Sequence, residues 1–241
     1  AEEMGAEVTM GSECFEPHVT AYAADSVVEW EKLGKMDETK GRVKVVLDAI
    51  RILKDKNLDV PIIGNITGPI STASSVVDPV KFYKDLRKHK EEAHAYLNFV
   101  TEQLITFARA MVEAGADVIA ISDPSGTGEI LGPRFFEEYA VKYLNMLLDG
   151  IEDGKTKTIV HICGQMRSVY QQINMVHSNA LSFDAIVPMK EARRNLGDRV
   201  LMGNVSTFAL EFGDEEKVAS LTKFCVESGS NIISPACGLG T

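Results

Sequence analysis

Val112-Glu113-Ala114-Gly115-Ala116-Asp117-Val118-Ile119 returns near the other end of the chain as Val226-Glu227-Ser228-Gly229-Ser230-Asn231-Ile232-Ile233. Each copy reads as the end of a helix, a glycine stop and the start of a buried strand. A repeated helix–glycine–strand unit is one module of a βα ring, and rings of such modules are α/β barrels. Outward from the repeat, strand-like runs lie at 7–10, 61–66, 118–123, 158–163, 180–184, 200–204 and 231–235. Helical patterns separate them. The longest, near 91–114, sets Ala93, Leu97, Val100, Leu104, Phe107 and Met111 on one stripe, with Gly115 to stop it. Strands alternating with helices make a parallel sheet. Seven strands fit either an open doubly wound sheet or a (β/α)8 barrel short of one strand. No Gly-x-Gly-x-x-Gly follows the first strands, which counts against a dinucleotide-binding sheet. The expectation is an α/β TIM barrel, with residues 1–241 as a single domain.

The chain has 241 residues, 45% hydrophobic and 25% charged, which excludes disorder, a collagen-like repeat and a disulfide scaffold. Its formal net charge of −10 opposes nucleic-acid phosphates and anionic lipid surfaces, so neither is expected as a partner. No apolar run reaches the ~18 residues of a membrane span and no signal peptide opens the chain, so a cytoplasmic protein is expected. Of the cysteines Cys14, Cys163, Cys225 and Cys237, few and unevenly spaced, metal ligands or core residues are expected rather than disulfides. The opening Ala1-Glu2-Glu3-Met4-Gly5 reads as the last turn of a helix, and the chain stops just after a strand-like run. Both ends suggest a piece of a longer protein.

In a barrel, function sits where strands end. Those positions here are Asn65, Asp123, His161, Cys163, Asp184, Asn204 and Cys237. In Val160-His161-Ile162-Cys163-Gly164, residues two apart on a strand share a face, so His161 and Cys163 point the same way. Imidazole and thiolate are both zinc ligands, although a buried cysteine beside a hydrogen-bonded histidine is the commoner explanation of His-x-Cys alone. Cys237 changes the balance. It ends another strand, at the place where Asp123 falls in the first copy of the repeat. One nitrogen and two sulfurs at one rim, with a fourth position open, is the layout of a catalytic zinc.

The stretches 61–69 (Pro-Ile-Ile-Gly-Asn-Ile-Thr-Gly-Pro), 123–133 (Asp-Pro-Ser-Gly-Thr-Gly-Glu-Ile-Leu-Gly-Pro), His161-Ile162-Cys163-Gly164, Gly203-Asn204-Val205-Ser206 and Pro235-Ala236-Cys237-Gly238 resemble the uroporphyrinogen decarboxylase superfamily. Within it, they resemble the methylcobamide:coenzyme M methyltransferases of methanogenic archaea. The resemblance implies a TIM barrel here short of its first βα unit and last helix. It also implies a zinc site at His161, Cys163 and Cys237, which would be the catalytic residues. The implied reaction moves a methyl group from a methyl-corrinoid protein (methylcobalamin-type cofactor) to the thiol of coenzyme M. In that family zinc binds the thiol, and the thiolate attacks the methyl group on cobalt(III). Zinc suits this task because the thiolate is the nucleophile and a free thiol is mostly protonated at neutral pH.

Further rim residues are expected to bind substrate: Asn65, Asp123, Ser125, Asp184 and Asn204. Each has a structural alternative. Asp184 fills the open zinc position, orients His161, or caps a helix beginning near Pro188. Asp123 and Ser125 line the pocket or make a turn. Asn65 and Asn204 contact substrate or close strand-end carbonyls. Cys225 is read as core, Cys14 (with His18 four residues on) as loop or pocket wall, and residues 84–90 as a solvated helix face. Gly238-Leu239-Gly240-Thr241 offers backbone N–H groups to a sulfonate. Rival functions are a metal-free tetrapyrrole decarboxylase, a zinc methyltransferase acting on another thiol such as homocysteine, and a corrinoid-binding scaffold subunit.

Overall fold

The computed structural model describes residues 1–13 and 17–238; the readings of Cys14 and of 239–241 lie outside the described residues. A turn of 3-10 helix, Glu2–Met4, stops at Gly5. β1 (Glu7–Thr9) and β2 (His18–Ala21) then pair antiparallel as a sheet of their own. Residues 7–10 are therefore not a barrel strand, as the sequence suggested. Only Val8 of β1 is even partly shielded, and so thin an apolar face cannot enter a sheet buried on both sides.

The remaining elements alternate as expected: α1 (Gly41–Asp55), β3 (Ile63–Thr67), α2 (Pro69–Val76), α3 (Pro79–Lys88), α4 (Lys90–Ala114), β4 (Val118–Ser122), α5 (Gly128–Phe135), α6 (Lys142–Ile151), β5 (Lys157–Ile162), α7 (Tyr170–Ile173), β6 (Ala180–Phe183), α8 (Met189–Leu196), β7 (Val200–Met202), α9 (Thr207–Phe212) and α10 (Glu215–Glu227). A π-helical turn, Phe136–Val141, links α5 to α6. β3 to β7 form one parallel sheet whose spatial order is their chain order. Right-handed crossovers that never reverse direction lay every helix on one face, which winds the sheet toward a barrel rather than a doubly wound layer. Among the described residues, no helix is long and apolar enough to cross a membrane.

The run at 231–235 is a correction of degree. It joins β7 by isolated parallel bridges, Met202↔Ile232 and Val205↔Pro235, rather than as a continuous strand. Pro235 has no N–H to give, so the ladder breaks there.

The repeat holds in atomic detail. Gly115 and Gly229 both take left-handed φ, 116° and 99°. Gly115 N–H donates to Val112 O and Ala116 N–H to Met111 O, and the same pattern recurs from Gly229 to Val226 and from Ser230 to Cys225. Next in each copy, the Asp117 carboxylate accepts from Ile62 N–H at 2.9 Å and the Asn231 side-chain oxygen from Leu201 N–H at 3.0 Å. Both side chains pin the start of a strand to the strand before it. Each is also held by a cation from the helix before that neighbouring strand, Lys54 of α1 at 3.0 Å and Arg193 of α8 at 2.6 Å.

Strand alternation sorts the two faces. Ile66, Ile119, Ile121, Val160, Ile162, Leu181 and Leu201 are buried beneath the helices. The expected stripe of α4 packs there, with Ala93, Leu97, Val100 and Met111 inaccessible to solvent and Phe107 only partly covered. The seam is tight at Gly64, where a Cβ would meet the Met111 sulfur at 2.9 Å and Ile119 Cδ1 at 3.2 Å. The opposite strand positions, including Asn65, Ser122, His161, Ser182 and Met202, line an open cleft of 270 Å³.

Candidate metal centre

His161 occupies the cleft-facing parity of β5, and Cys163 follows one residue beyond the strand, just before Gly164 turns the chain with φ 78°. Cys237 arrives from the far side. Ala236 N–H donates to Val205 O at 2.8 Å, fixing the segment alongside the end of β7. The result brings three donors together: one ligand atom each from His161, Cys163 and Cys237 lies within 4.8 Å of the others. His161 Nε2 is 3.1 Å from Cys163 Sγ, and Cys163 Sγ is 3.8 Å from Cys237 Sγ. Two sulfurs bound at ~2.3 Å to a tetrahedral zinc stand about 3.8 Å apart, so the sulfur pair is already spaced as an edge of that polyhedron. A disulfide is excluded at this distance, and Cys163, Cys225 and Cys237 are all free thiols.

The electrostatics suit a cation. Burial, the neighbouring Cys237 sulfur and the Asp184 carboxylate push the Cys163 thiol up to about 12. Burial also lowers the His161 pKa, with Asp184 opposing, so the imidazole favours the neutral form that binds metals. Cys163, crowded against a second sulfur, resists ionisation until a cation sits beside it. Nitrogen and sulfur donors in threes match zinc, with the exposed flank at Cys237 giving onto the cleft.

Ser182, which sequence reasoning passed over, orients the histidine. It is the register partner of His161 across β5 and β6, and its hydroxyl stands 3.0 Å from His161 Nδ1. With Nδ1–H donating to Ser182 Oγ, the Nε2 lone pair faces the sulfurs. Glu129 was missed as well. Its carboxylate accepts from Gln165 N–H at 3.0 Å and lies so close to Gly164 that a Cβ there would meet Oε2 at 2.5 Å. The Ser182 signal was available: it is the cleft-facing position two residues before Asp184. For Glu129 no local signal exists, because the contact spans separate loops.

The other rim residues divide. Asn65 does face the cleft. Asp123 does not, which corrects its expected role as pocket lining. It is fully buried and accepts hydrogen bonds from Ile70 N–H at 3.2 Å, Ser71 N–H at 2.7 Å and Ser71 Oγ at 2.6 Å, tying down the start of α2. Burial pushes its carboxyl up to about 6 against those bonds. Ser125 joins the same network through its backbone, with its N–H on Ser71 Oγ at 2.8 Å and its carbonyl accepting from Tyr83 OH at 2.9 Å. Asn204 is likewise corrected from substrate contact to structural tie. Its amide donates to Asp184 O and Val187 O, both at 2.8 Å. Asp184 neither caps α8, whose N-cap is Pro188, nor bonds His161. Its carboxylate accepts from Ile186 N–H at 3.0 Å. Cys225 is buried in α10, as expected of a core residue.

The uroporphyrinogen decarboxylase (URO-D) family model matches residues 1–241. The chain is 32% identical to the methylcobamide:CoM methyltransferase MtbA of Methanosarcina acetivorans over 99% of its own length and 71% of that protein. It is also 32% identical to MtaA, a methylcobamide:CoM methyltransferase of Methanosarcina barkeri, over 99% of its length and 70% of that protein. A solved methyltransferase structure from Methanosarcina mazei superposes with a TM-score of 0.91 at 32% identity, covering 99% of this chain and 71% of that one. The chain thus belongs to the uroporphyrinogen decarboxylase family, in its methylcobamide:coenzyme M methyltransferase branch.

Proposed function

We propose that this methyltransferase holds a catalytic zinc ion on His161, Cys163 and Cys237 and moves a methyl group from a methyl-corrinoid protein to the thiol of coenzyme M. The observation that carries the reading is the convergence of one imidazole and two thiols at the head of an open cleft, with sulfurs 3.8 Å apart. Zinc bound there would keep the substrate thiol ionised near neutral pH and so able to attack the methyl carbon. Around it, the chain's own residues set the stage. Ser182 fixes the imidazole tautomer. Ionised on binding a divalent ion, Cys163 and Cys237 would neutralise it and so leave electron density on an incoming third sulfur. Asn65 faces the cleft with its amide free to meet the polar end of the substrate. Glu129 holds the loop that follows Cys163.

The test is calorimetric and spectroscopic together. Adding coenzyme M to the zinc-loaded protein should release about one proton per site near pH 7, because the thiol must ionise to coordinate. Free methylcobalamin should then lose its methyl group to coenzyme M, and more slowly to homocysteine. Binding without proton release overturns the thiolate reading, and a preference for homocysteine moves the substrate assignment to that thiol.

A further inference from the structure

The net charge of −10 is unevenly spread, and α3 carries Lys81, Lys84, Arg87 and Lys88 against one acid, the buried Asp85. α3 and α5 both hang from loops at the C-terminal ends of strands, α5 directly from β4 and α3 by way of α2. Tyr83 of α3 bonds the loop that leads into α5, and Glu129 of α5 holds the loop after Cys163. The two helices therefore stand on the same end of the sheet as the ligand triad. A 360 Å³ cleft opens there, lined by Arg87, Leu131, Gly132, Pro133, Arg134 and Phe135. Both guanidinium groups lie 5.4 Å from the centre of the Phe135 ring.

Among the described residues, Arg87 and Arg134 form no ion pair, and neither do the exposed Lys84 and Lys88 of α3. Two acids, Glu137 and Glu138, border Arg134, and each has another partner. Glu138 is held by Lys90 at 2.5 Å and His94 at 3.4 Å, and Glu137 accepts from the Gln172 amide at 3.4 Å. An aromatic ring flanked by two unpaired guanidinium forks offers bidentate sites for carboxylates over a partly apolar surface.

We infer that this cleft docks an acidic surface of the protein that delivers the methyl group, with carboxylates of that partner taking Arg87 and Arg134. The inference rests on the proposed function. The patch extends over two helices, wider than one small anion needs. A chain of net charge −10 repels extended polyanions such as nucleic acid or an anionic bilayer, which reach beyond the patch. A folded acidic partner meets only the patch itself. Docking here also leaves the cleft at His161 clear for the thiol.

The test compares two donors on the zinc-loaded protein, a methylated corrinoid protein and free methylcobalamin, with coenzyme M as acceptor. Arg87→Glu combined with Arg134→Glu should raise KM for the corrinoid protein about tenfold and flatten its salt dependence, since rim charges act mainly on encounter. With free methylcobalamin, kcat and KM should stay at the wild-type values. An unchanged KM for the corrinoid protein overturns the inference while leaving the proposed function intact, and equal losses with both donors overturn it too. A wild-type protein inert toward both donors removes the proposed function and the docking surface with it.

Discussion

Ser182→Ala isolates what orients the metal-binding histidine. The serine is 5% exposed and its hydroxyl lies 3.0 Å from His161 Nδ1. Removing it leaves Nδ1–H without its protein partner and frees the ring to take the tautomer that places a proton on Nε2. A net hydrogen bond of about 1 kcal/mol is lost, and partners of metal-bound histidines typically contribute 10–100-fold in affinity. Zinc affinity should therefore fall about tenfold, or roughly 1.4 kcal/mol. Competition with a chromophoric chelator at pH 7 measures this directly. Ser182→Thr, which keeps the hydroxyl, should stay near the wild type, whereas loss of fold would weaken both variants. Affinity unchanged in Ser182→Ala, or lowered equally in both, would refute the assigned role.

Cys225→Ser should leave the zinc content of the purified protein unchanged, while Cys163→Ser and Cys237→Ser should largely abolish it; equal loss in all three would point to misfolding instead. Gly68→Ala should destabilise by about 2 kcal/mol in denaturant unfolding, because its Cβ would meet the buried Asp123 side chain at 2.5 Å; a neutral result would mean that α2 shifts freely. His94 is stacked on Tyr139 at 4.9 Å, and burial followed by the nearby Lys142 charge lowers its pKa, with Glu138 opposing. The unfolded chain then binds the proton more readily than the folded one, so this contribution is present above the unfolded value of about 6.5 and lost as pH falls below it. His94→Gln should flatten that part of the stability profile, and an unchanged slope would sink the assignment.

The parallel sheet was legible because helix stops and strand starts recur with the same residues, and the repeat at Gly115 and Gly229 proved to be a repeat of hydrogen bonds. The N-terminal pairing was not. Glu7-Val8-Thr9 announces a strand, but which strand it meets depends on the return at His18–Ala21, which carries no marker of direction. Asp123 and Cys237 show the limit at the site itself. They fall at the same place in the repeat, and sequence gives both as rim residues. Asp123 meets the free N–H groups at the start of α2, and Gly68 and Gly126 give it room to be swallowed. Beside Cys237 nothing lies within 4 Å of a Cβ at Gly238, and the thiol stays in the open. The difference comes from loops distant in sequence. Period-two alternation did carry the decisive pair, since His161 and Cys163 share a face whatever surrounds them.

The central claim, that His161, Cys163 and Cys237 hold a zinc ion which takes the substrate thiol, is tested most directly by X-ray absorption at the zinc edge, with and without coenzyme M. The account predicts one zinc per chain with two sulfur neighbours at rest and three after coenzyme M is added, all at ~2.3 Å. Coenzyme M bound with the sulfur count still at two would contradict it.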